Sequence, residues 1–394
     1  MDLTYGSEYD AFRRTVKDFL AKHDADAPRA GIGSGEAAPD LLAWQKVLVE
    51  NGYAARTVPK EYGGYGAEPD LIETIIISEE FHTARIARGM ASQGISMFVP
   101  TLLQYGTEEQ KRAYIGPTIR GEMIWCQGYS EPGAGSDLAS LQTSAVLDGD
   151  DFVINGQKIW TSTARESSMM FALVRTEPDE PKHKGISYLV LPTDSEGLDI
   201  RPLKTMTGAS SFNEVFFEDV RVPKKNLIGV RGQGWEIGTA TLVHERDMLG
   251  GTGQTETLLL NLADVLRDYG KIDDPVFRDK LMSLQARVVA MKYHSLRMLT
   301  DKLKKRSSAG AGLITKLNGC QLNHDICALA IDAMDEVGML RKGSKHVRDR
   351  GMWQSQFMFT LGLIIGGGTA QIQKNIISER GLGMPREPKP AARA

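Results

Sequence analysis

The sequence predicts an α+β protein built from an N-terminal helical domain, a central antiparallel β-domain and a C-terminal four-helix bundle. Three observations lead to this fold class. Helical periodicity in short pieces covers residues 8–115, a period-two pattern covers about 123–231, and long helical segments follow to the end. Strands and helices do not alternate as βαβ units, so a doubly wound fold is excluded. The predicted domains are 1–122, 123–232 and 233–394.

The first region has helical segments such as YDAFRRTVKDFLAKH, and stretches rich in Gly and Pro separate them. The middle region alternates in DFVINGQKIWTST and NEVFFEDVRVP, and turn formers such as DGD and DSEG separate the predicted strands. In the third region, four helical segments are predicted at about 235–268, 275–304, 309–340 and 352–380.

Composition excludes several classes of function. The chain has 394 residues, with 47 Lys and Arg against 50 Asp and Glu and no long basic run, so nucleic acid is not expected as a partner. No stretch of about 18 apolar residues predicts a membrane span. The first residues also lack a signal-peptide pattern, and we expect a cytoplasmic protein. The three cysteines, Cys126, Cys320 and Cys327, lack metal-ligand spacing and are predicted to be buried thiols. No metal site is predicted.

Common catalytic motifs are absent from the sequence. It contains neither a dinucleotide-binding Gly-x-Gly-x-x-Gly nor a Walker motif, a His-Glu-x-x-His pair or a nucleophile elbow. Any catalytic or binding residues must therefore be sought in stretches that match none of these common motifs.

The stretch WCQGYSEPGAGSDLASLQT, residues 125–143, concentrates small residues, turn formers and hydroxyl groups. Freed backbone N–H groups and the hydroxyls of Ser130 and Ser136 could hold a phosphate or the polar edge of a heterocycle. An ordinary tight loop around Pro132 is an equally good interpretation.

Two further features carry the same ambiguity. Trp160, on the predicted strand NGQKIWTSTA, either fills the sheet core or packs against a flat cofactor ring. Gly366, Gly367 and Gly368 either break a helix or allow a ligand to approach backbone N–H donors at a helix start.

GYSEPGAGSDLAS closely resembles the signature of the acyl-CoA dehydrogenase family. Other stretches resemble that family in the same order along nearly the whole chain: QYGTEEQKRAYI, NGQKIWTS, FFEDVRVPKKNLIG and GGTAQIQKNIISERGLGMPR. The family fold is a helical domain, a β-domain and a four-helix bundle, the order that periodicity predicts. The resemblance implies an FAD enzyme that introduces an α,β double bond into a CoA thioester, with the flavin between the β-domain and the bundle.

The resemblance also implies roles for individual residues. The backbone around Tyr129 and Ser130 would meet the flavin edge, Trp160 would pack beside the ring, and Ser162 would hydrogen-bond near N5. Arg267 would substitute for an arginine that many relatives bring to the adenine half. The full set of implied cofactor contacts is Gln127, Tyr129, Ser130, Ser136, Trp160, Ser162, Arg267, Thr369 and Gln371.

Removal of a proton α to a thioester needs a carboxylate base, and the enolate-like charge needs hydrogen-bond donors. Most relatives read Tyr-Glu-Gly-Thr where this chain reads Gly366-Gly367-Gly368-Thr369, so the usual base is missing. A minority of the family place the base in a Glu-Arg pair on the first long helix of the bundle. The resemblance thus assigns the base to Glu245 and oxyanion donation to the backbone N–H of Gly367. A simple helical ion pair is the competing interpretation of Glu245.

Arg246, Gly366 and Gly368 are assigned to substrate binding. Loss of the Tyr and Glu side chains is expected to enlarge the acyl pocket and favour bulky, branched or cyclic acyl groups. The implied partners are an acyl-CoA substrate and an electron-transfer flavoprotein, within a homotetramer or a mixed tetramer with a related chain. The alternatives are a flavin oxidase or monooxygenase on the same fold, or a subunit that completes a partner's FAD site.

Overall fold

The computed structural model describes the backbone of residues 5–29, 39–249, 252–306 and 312–386. The chain forms two compact units. The first comprises Met1–Thr205 and Ser210–Glu245, and the second comprises Met206–Ala209 and Arg246–Ala394.

The first unit begins with five α-helices. Side chains cap two of them: Asp70 accepts hydrogen bonds from the N–H groups of Ile72 and Glu73, and Thr107 forms a capping box with Gln110. Apolar residues of these helices form the helical part of the core, and its largest buried side chains include Leu48, Ile76 and Phe81. The helices are α1 Asp10–His23, α2 Pro39–Glu50, α3 Leu71–Ala84, α4 Val99–Tyr105 and α5 Glu108–Ile119.

An eight-stranded sheet follows in the same unit. Its strands are β1 Trp125–Gly128, β2 Ser144–Asp148, β3 Asp151–Ser162, β4 Met169–Arg175, β5 Ile186–Pro192, β6 Leu198–Leu203, β7 Phe212–Pro223 and β8 Leu227–Ile228. The spatial order is β6-β7-β3-β2-β4-β5-β8, and β1 pairs with β4. The two strands predicted from DFVINGQKIWTST and NEVFFEDVRVP are present as β3 and β7, with ends that agree to within one residue.

The expectation of a purely antiparallel sheet is wrong at the interior strand β4. β1 runs parallel to β4, with Gln127 opposite Phe171, and a single parallel bridge joins β2 to β4. About 40 residues separate β1 from β4, and a connection of that length permits parallel pairing, whereas a tight hairpin would impose the antiparallel arrangement. The short β1 carries too few residues for alternation to reveal its direction.

The helical period after residue 233 corresponds to α6 Gly234–Leu249, α7 Thr252–Asp268, α8 Pro275–Leu303, α9 Leu313–Ala333, α10 Met352–Ile365 and α11 Ala370–Ile376. The segment predicted at 235–268 is helical over 234–249 and 252–268, and residues 250 and 251 lie outside the described residues. Side chains of α7, α8, α9 and α10 share one core that includes Leu262, Leu284, Ile326 and Trp353. This four-helix core confirms the predicted C-terminal helical domain.

The three cysteines are free and buried, as predicted. Burial raises the pKa of the Cys126 and Cys327 thiols to about 12, so both are unreactive as nucleophiles at neutral pH. Within the described ranges, no helix has the length and hydropathy needed to cross a membrane. No group of His, Cys, Asp and Glu side chains there could hold a metal ion.

Candidate active site

The loop after β1 is bonded to β3 by three consecutive residues. The Nζ of Lys158 donates to the carbonyl oxygen of Tyr129 over 3.1 Å, and the N–H of Ile159 donates to the carbonyl oxygen of Ser130 over 2.9 Å. The same Nζ lies 2.8 Å from Oε1 of Glu131. Because the contacts are consecutive, the backbone of the loop is fixed along the strand.

Glu131 and Lys158 form an ion pair in the interior, with side chains 7% and 0% exposed. Glu131 also accepts hydrogen bonds from the backbone N–H groups of Gln142, at 2.6 Å, and Thr143, at 2.9 Å. Burial raises the pKa of Glu131, but the Lys158 ammonium and these donors outweigh burial and hold the pKa below its usual value. Burial lowers the pKa of Lys158 to about 8, although Glu131 opposes the shift.

Neither residue of this pair was predicted from the sequence as a site residue. A signal exists, because Lys158 has the same strand parity as the buried residues Phe152 and Ile154. An inward lysine on a strand needs a buried counter-charge, which the acidic residue of the neighbouring loop supplies.

Trp160 lies in a bulge of β3. The register between β3 and β7 shifts between Lys158 and Thr161, and Trp160 has a left-handed φ of 61°. Its side chain is 58% exposed and contacts Phe212 edge to face at 6.0 Å between ring centroids. The core-filling interpretation of Trp160 is therefore wrong. A strained backbone that exposes a large aromatic ring is typical of a binding site.

Two more predicted cofactor residues lie on strands of the same sheet. Ser162 ends β3 opposite Phe212, and its side chain is half-buried. The amide nitrogen Nε2 of Gln127, on β1, is buried and has no hydrogen-bond partner among the described residues. A buried donor without an acceptor costs stability, so the position suits a ligand that accepts a hydrogen bond.

The loop after β1 carries the GYSEPGAGSDLAS stretch and is called the signature loop here. Its outer side is open. A methyl group added at Gly133 or Gly135 would meet no protein atom within 4 Å, and Ser136 is exposed. A cleft of about 490 Å³ borders the loop. It is lined by Glu131, Pro132, Gly133, Ser140, Gln142, Thr143, Gly156 and Gln157. The loop therefore offers backbone and hydroxyl groups to a ligand without displacing any side chain.

In the second unit, α10 ends at Ile365 and the glycines connect it to α11. Gly367 and Gly368 have left-handed φ angles of 63° and 94°. The left-handed φ of Gly368 favours glycine there, and a Cβ would also lie 2.6 Å from Nε2 of Gln373, which would have to shift. Thr369 caps α11 by accepting from the N–H of Ile372 over 3.2 Å.

Side chains from the helices hold the carbonyl groups of this loop. Lys316 on α9 donates to the carbonyl oxygens of Ile364, at 3.1 Å, and Gly368, at 2.7 Å. Gln373 on α11 donates to the carbonyl oxygen of Gly367 over 3.2 Å. No hydrogen bond joins the N–H of Gly367 to another residue that the structure describes. Sequence reasoning missed Lys316 and Gln373.

The remaining predicted residues lie on α6, α7 and α11. Glu245 and Arg246 lie near the end of α6, and their side chains fall outside the described residues. Arg267 is exposed on α7, where it pairs with Asp264 at 2.5 Å. Gln371 is exposed near the start of α11. The structure thus brings Tyr129, Ser130, Trp160 and Ser162 together in the first unit, and the three glycines with Thr369 and Gln371 in the second.

Three family models match the chain in sequence. They are the N-terminal domain of acyl-CoA dehydrogenase at residues 6–122, its middle domain at 126–220 and its C-terminal domain at 232–382. All the residues of the two site regions fall within these matches.

Individual relatives match this chain over nearly its full length. Acyl-CoA dehydrogenase IpdE1 of Mycobacterium tuberculosis is 37% identical over 391 residues, covering 97% of this chain and 99% of that protein. The structure described as the Tcur3481-Tcur3483 steroid ACAD superposes with a TM-score of 0.82 at 30% identity, covering 98% of this chain and 100% of that one. The ChsE4-ChsE5 complex from Mycobacterium tuberculosis has a TM-score of 0.80 at 30% identity, with the same coverage. This chain belongs to the acyl-CoA dehydrogenase family and is an oxidoreductase of that family.

Proposed function

We propose that this protein is an FAD-dependent acyl-CoA dehydrogenase that introduces an α,β double bond into a CoA thioester with a bulky, ring-bearing acyl group. The observation that carries the cofactor assignment is the exposed, strained Trp160 beside a loop that Lys158 and Ile159 fix to the same strand. The amide nitrogen of Gln127, which has no partner among the described residues, and the hydroxyl of Ser162 add polar groups that suit a flavin edge.

FAD would supply the acceptor for the hydride that leaves the β carbon. The groups proposed to hold it are those of Gln127, Tyr129, Ser130, Ser136, Trp160, Ser162, Thr369 and Gln371, with Arg267 towards the adenine half. Each of these residues offers a hydrogen-bonding group or an aromatic face, and the flavin and phosphates require both.

The chain's own residues would perform the proton transfer. Glu245 would remove the α proton, with Arg246 ordering the site beside it. The N–H of Gly367, which no described group accepts, would donate to the thioester oxygen as negative charge develops there. A backbone donor is compatible with the loss of the usual glutamate side chain, since every residue type except proline provides one.

Three consecutive glycines support a large acyl pocket. Gly366, Gly367 and Gly368 place no side-chain atoms at a position where most relatives carry Tyr and Glu. The structure described as a steroid ACAD, which resembles this chain over its whole length, agrees with a ring-bearing substrate.

We further propose that the protein works as a mixed tetramer with a related chain and passes electrons to an electron-transfer flavoprotein. The ChsE4-ChsE5 relative is described as a complex, and the steroid ACAD relative likewise carries a double name, Tcur3481-Tcur3483. On α8, Met282, Val289 and Tyr293 are 48%, 41% and 50% exposed. Their spacing of seven and four residues places them on one helix face, and an exposed apolar stripe suits association of subunits.

The test is an anaerobic visible spectrum of the purified protein, alone and co-expressed with a related chain from the same genome. Straight-chain, branched and ring-bearing CoA thioesters are then added to each preparation. The proposal expects a flavin band that ring-bearing thioesters bleach fastest, with the corresponding enoyl-CoA formed in equal amount.

Other outcomes identify the alternatives. Rapid oxygen consumption by the reduced protein would indicate an oxidase or monooxygenase. A colourless protein that restores flavin binding to its partner, and whose Glu245→Gln variant does so equally well with no loss of turnover, would indicate a non-catalytic subunit. Fastest bleaching by butyryl-CoA or octanoyl-CoA would contradict the bulky substrate.

A further inference from the structure

Both peptide groups that flank Ser130 are held by β3. In the peptide before Ser130, the carbonyl oxygen of Tyr129 accepts from the Nζ of Lys158. In the peptide after it, the carbonyl oxygen of Ser130 accepts from the N–H of Ile159. One donor is a side chain and the other belongs to the backbone of the strand. Two consecutive residues of β3 therefore determine the orientation of Ser130.

The hydrogen bond from Lys158 also determines where the N–H of Ser130 points. That N–H belongs to the same peptide group as the carbonyl of Tyr129. Every peptide bond that the structure describes is trans, so the C=O and N–H bonds of this group point in opposite directions. The carbonyl faces the ammonium of Lys158, whose side chain is 0% exposed. The N–H of Ser130 must therefore point away from this buried lysine.

The N–H of Ser130 is a donor without an acceptor. No hydrogen bond joins it to another residue in the described part of the chain. The next N–H along the chain, that of Glu131, donates to the carbonyl oxygen of Ala134 over 3.0 Å. Ser130 is half-buried. A partly buried N–H that is held in one direction and lacks a protein acceptor suits a ligand that accepts a hydrogen bond.

The buried charges supply something that apolar packing could not. A buried ion pair is often no more stabilising than apolar side chains of the same volume. Apolar side chains, however, would leave the carbonyl of Tyr129 without the donor that Lys158 provides. Glu131 is itself held by the N–H groups of Gln142 and Thr143, so it fixes the position of the ammonium.

We propose that Lys158 is a positioning residue that holds the N–H of Ser130 as a hydrogen-bond donor to the carbonyl-bearing ring of the flavin. The inference rests on the proposed function, since it assigns how one donor of the FAD site is oriented. That ring gains negative charge when the flavin is reduced, so a donor that is already oriented favours the reduced form. Because Glu131 neutralises Lys158, the effect is assigned to the N–H and not to the ammonium.

The experiment compares two variants that both lack the buried charge pair. Glu131→Gln keeps the side-chain nitrogen of Lys158, which donates to the Tyr129 carbonyl whether it is charged or neutral. The double variant Glu131→Gln, Lys158→Met removes that donor as well. The matched control for lost stability is Val220→Ala, which opens a small cavity at a fully buried residue of β7.

Three properties of each protein are measured, and none of them requires turnover. The first is the dissociation constant of oxidised FAD from the apoprotein. The second is the two-electron reduction potential of bound FAD, measured against redox dyes. The third is the set of infrared stretching frequencies of the flavin carbonyl groups, which rise when a hydrogen-bond donor is lost.

Compared with Glu131→Gln, the double variant is expected to bind oxidised FAD roughly tenfold more weakly and reduced FAD roughly 100-fold more weakly. The additional factor of ten lowers the two-electron potential by about 30 mV. A carbonyl band of the bound flavin should move to higher frequency. Val220→Ala should match the parent in all three properties. If the double variant matches Glu131→Gln in potential and in carbonyl frequencies, the inference is wrong.

If the double variant does not fold, amide hydrogen exchange of the parent, resolved to single residues, decides. The Ser130 N–H should exchange at least roughly tenfold more slowly with FAD bound than without it. The N–H of Glu131, already bonded to Ala134, is the internal reference. Equal exchange at Ser130 in both forms contradicts the inference. Failure of the proposed function is a separate result, because the parent protein would then bind no FAD at all.

Discussion

Glu131 and Lys158 form an ion pair with 2.8 Å between Oε1 and Nζ, and neither side chain is more than 7% exposed. The pair joins the signature loop to the strand that carries Trp160, two residues further along. Because Lys158 also binds the carbonyl of Tyr129, the buried charges determine where the backbone beside the candidate flavin site lies.

Breaking this pair should destabilise the protein strongly. Lys158→Met leaves a buried carboxylate without its counter-charge and should lower the free energy of unfolding by about 3–5 kcal/mol. The double variant Glu131→Gln, Lys158→Met should lose less than the sum of the single changes, since neither charge is then left alone. Urea unfolding of the four proteins measures the coupling. Arg221→Met, which removes an exposed partner of Asp148, is the control and should change little.

Stability should fall in acid through Glu131. Its pKa in the folded protein lies below the unfolded value, so the unfolded chain binds the proton more tightly. The stabilisation is therefore complete above the unfolded pKa, about 4.3, and is lost as the pH falls from there through the folded pKa. Unfolding free energies of the parent and Glu131→Gln should differ most near neutral pH and converge in acid. A constant difference between the two down to pH 3 would contradict this role.

Trp160→Ala should weaken FAD binding without greatly changing stability. The side chain is 58% exposed, so little buried apolar area is lost, and alanine keeps the Cβ, so the strain of the left-handed φ is about the same in both proteins. Loss of one aromatic face against the flavin should raise the dissociation constant of FAD roughly tenfold. Titration of the apoprotein with FAD measures it. Tyr65→Ala, at another exposed aromatic residue, is the control and should bind FAD normally.

Glu245→Gln should abolish most of the proton abstraction while leaving FAD bound. General bases contribute about 10²- to 10⁴-fold, so flavin reduction by saturating substrate should slow by a factor in that range or more. Glu236→Gln, an exposed carboxylate on the same helix, is the matched control and should react at the parental rate. Near-normal reduction in Glu245→Gln, measured by anaerobic stopped flow, would remove this residue from its assigned role.

Gly366→Tyr should shift selectivity towards straight-chain thioesters. Gly366 has φ −65° and ψ 157°, which any residue adopts, and the nearest atom to an added Cβ is the carbonyl oxygen of Gly362 at 3.3 Å. The variant should therefore fold, although that oxygen must shift by a few tenths of an ångström. The added ring should reduce the acyl space, so the ratio of kcat/KM for ring-bearing over straight-chain substrates should fall at least tenfold. An unchanged ratio would show that this position does not border the acyl group.

Sequence periodicity determined the order of the helical, sheet and helical domains, because periods of 3.6 and 2 are local properties of each segment. Periodicity did not predict the short strands β1 and β8, because each has too few residues to show alternation. It also did not predict the parallel pairing of β1 with β4, because pairing partners lie far apart in sequence. Trp160 and the glycines 366–368 were recognisable as candidate site residues from their types and their resemblance to a family. The competing interpretations of these residues differed in the exposure of the side chain and the conformation of the backbone, which the sequence does not show.

Tertiary structure excluded the core-filling interpretation of Trp160. Exposure of Trp160 depends on a bulge between β3 and β7, and a bulge is a property of two strands together. Likewise, Lys158 and Lys316 read as ordinary charged residues in sequence. Only folding buries their ammonium groups beside oxygen acceptors that are distant in sequence. Lys158 is 27 residues from Glu131, and Lys316 is 52 residues from Gly368. The sequence alone therefore specified which groups are available for chemistry, and packing over long separations determined which of them are held in place.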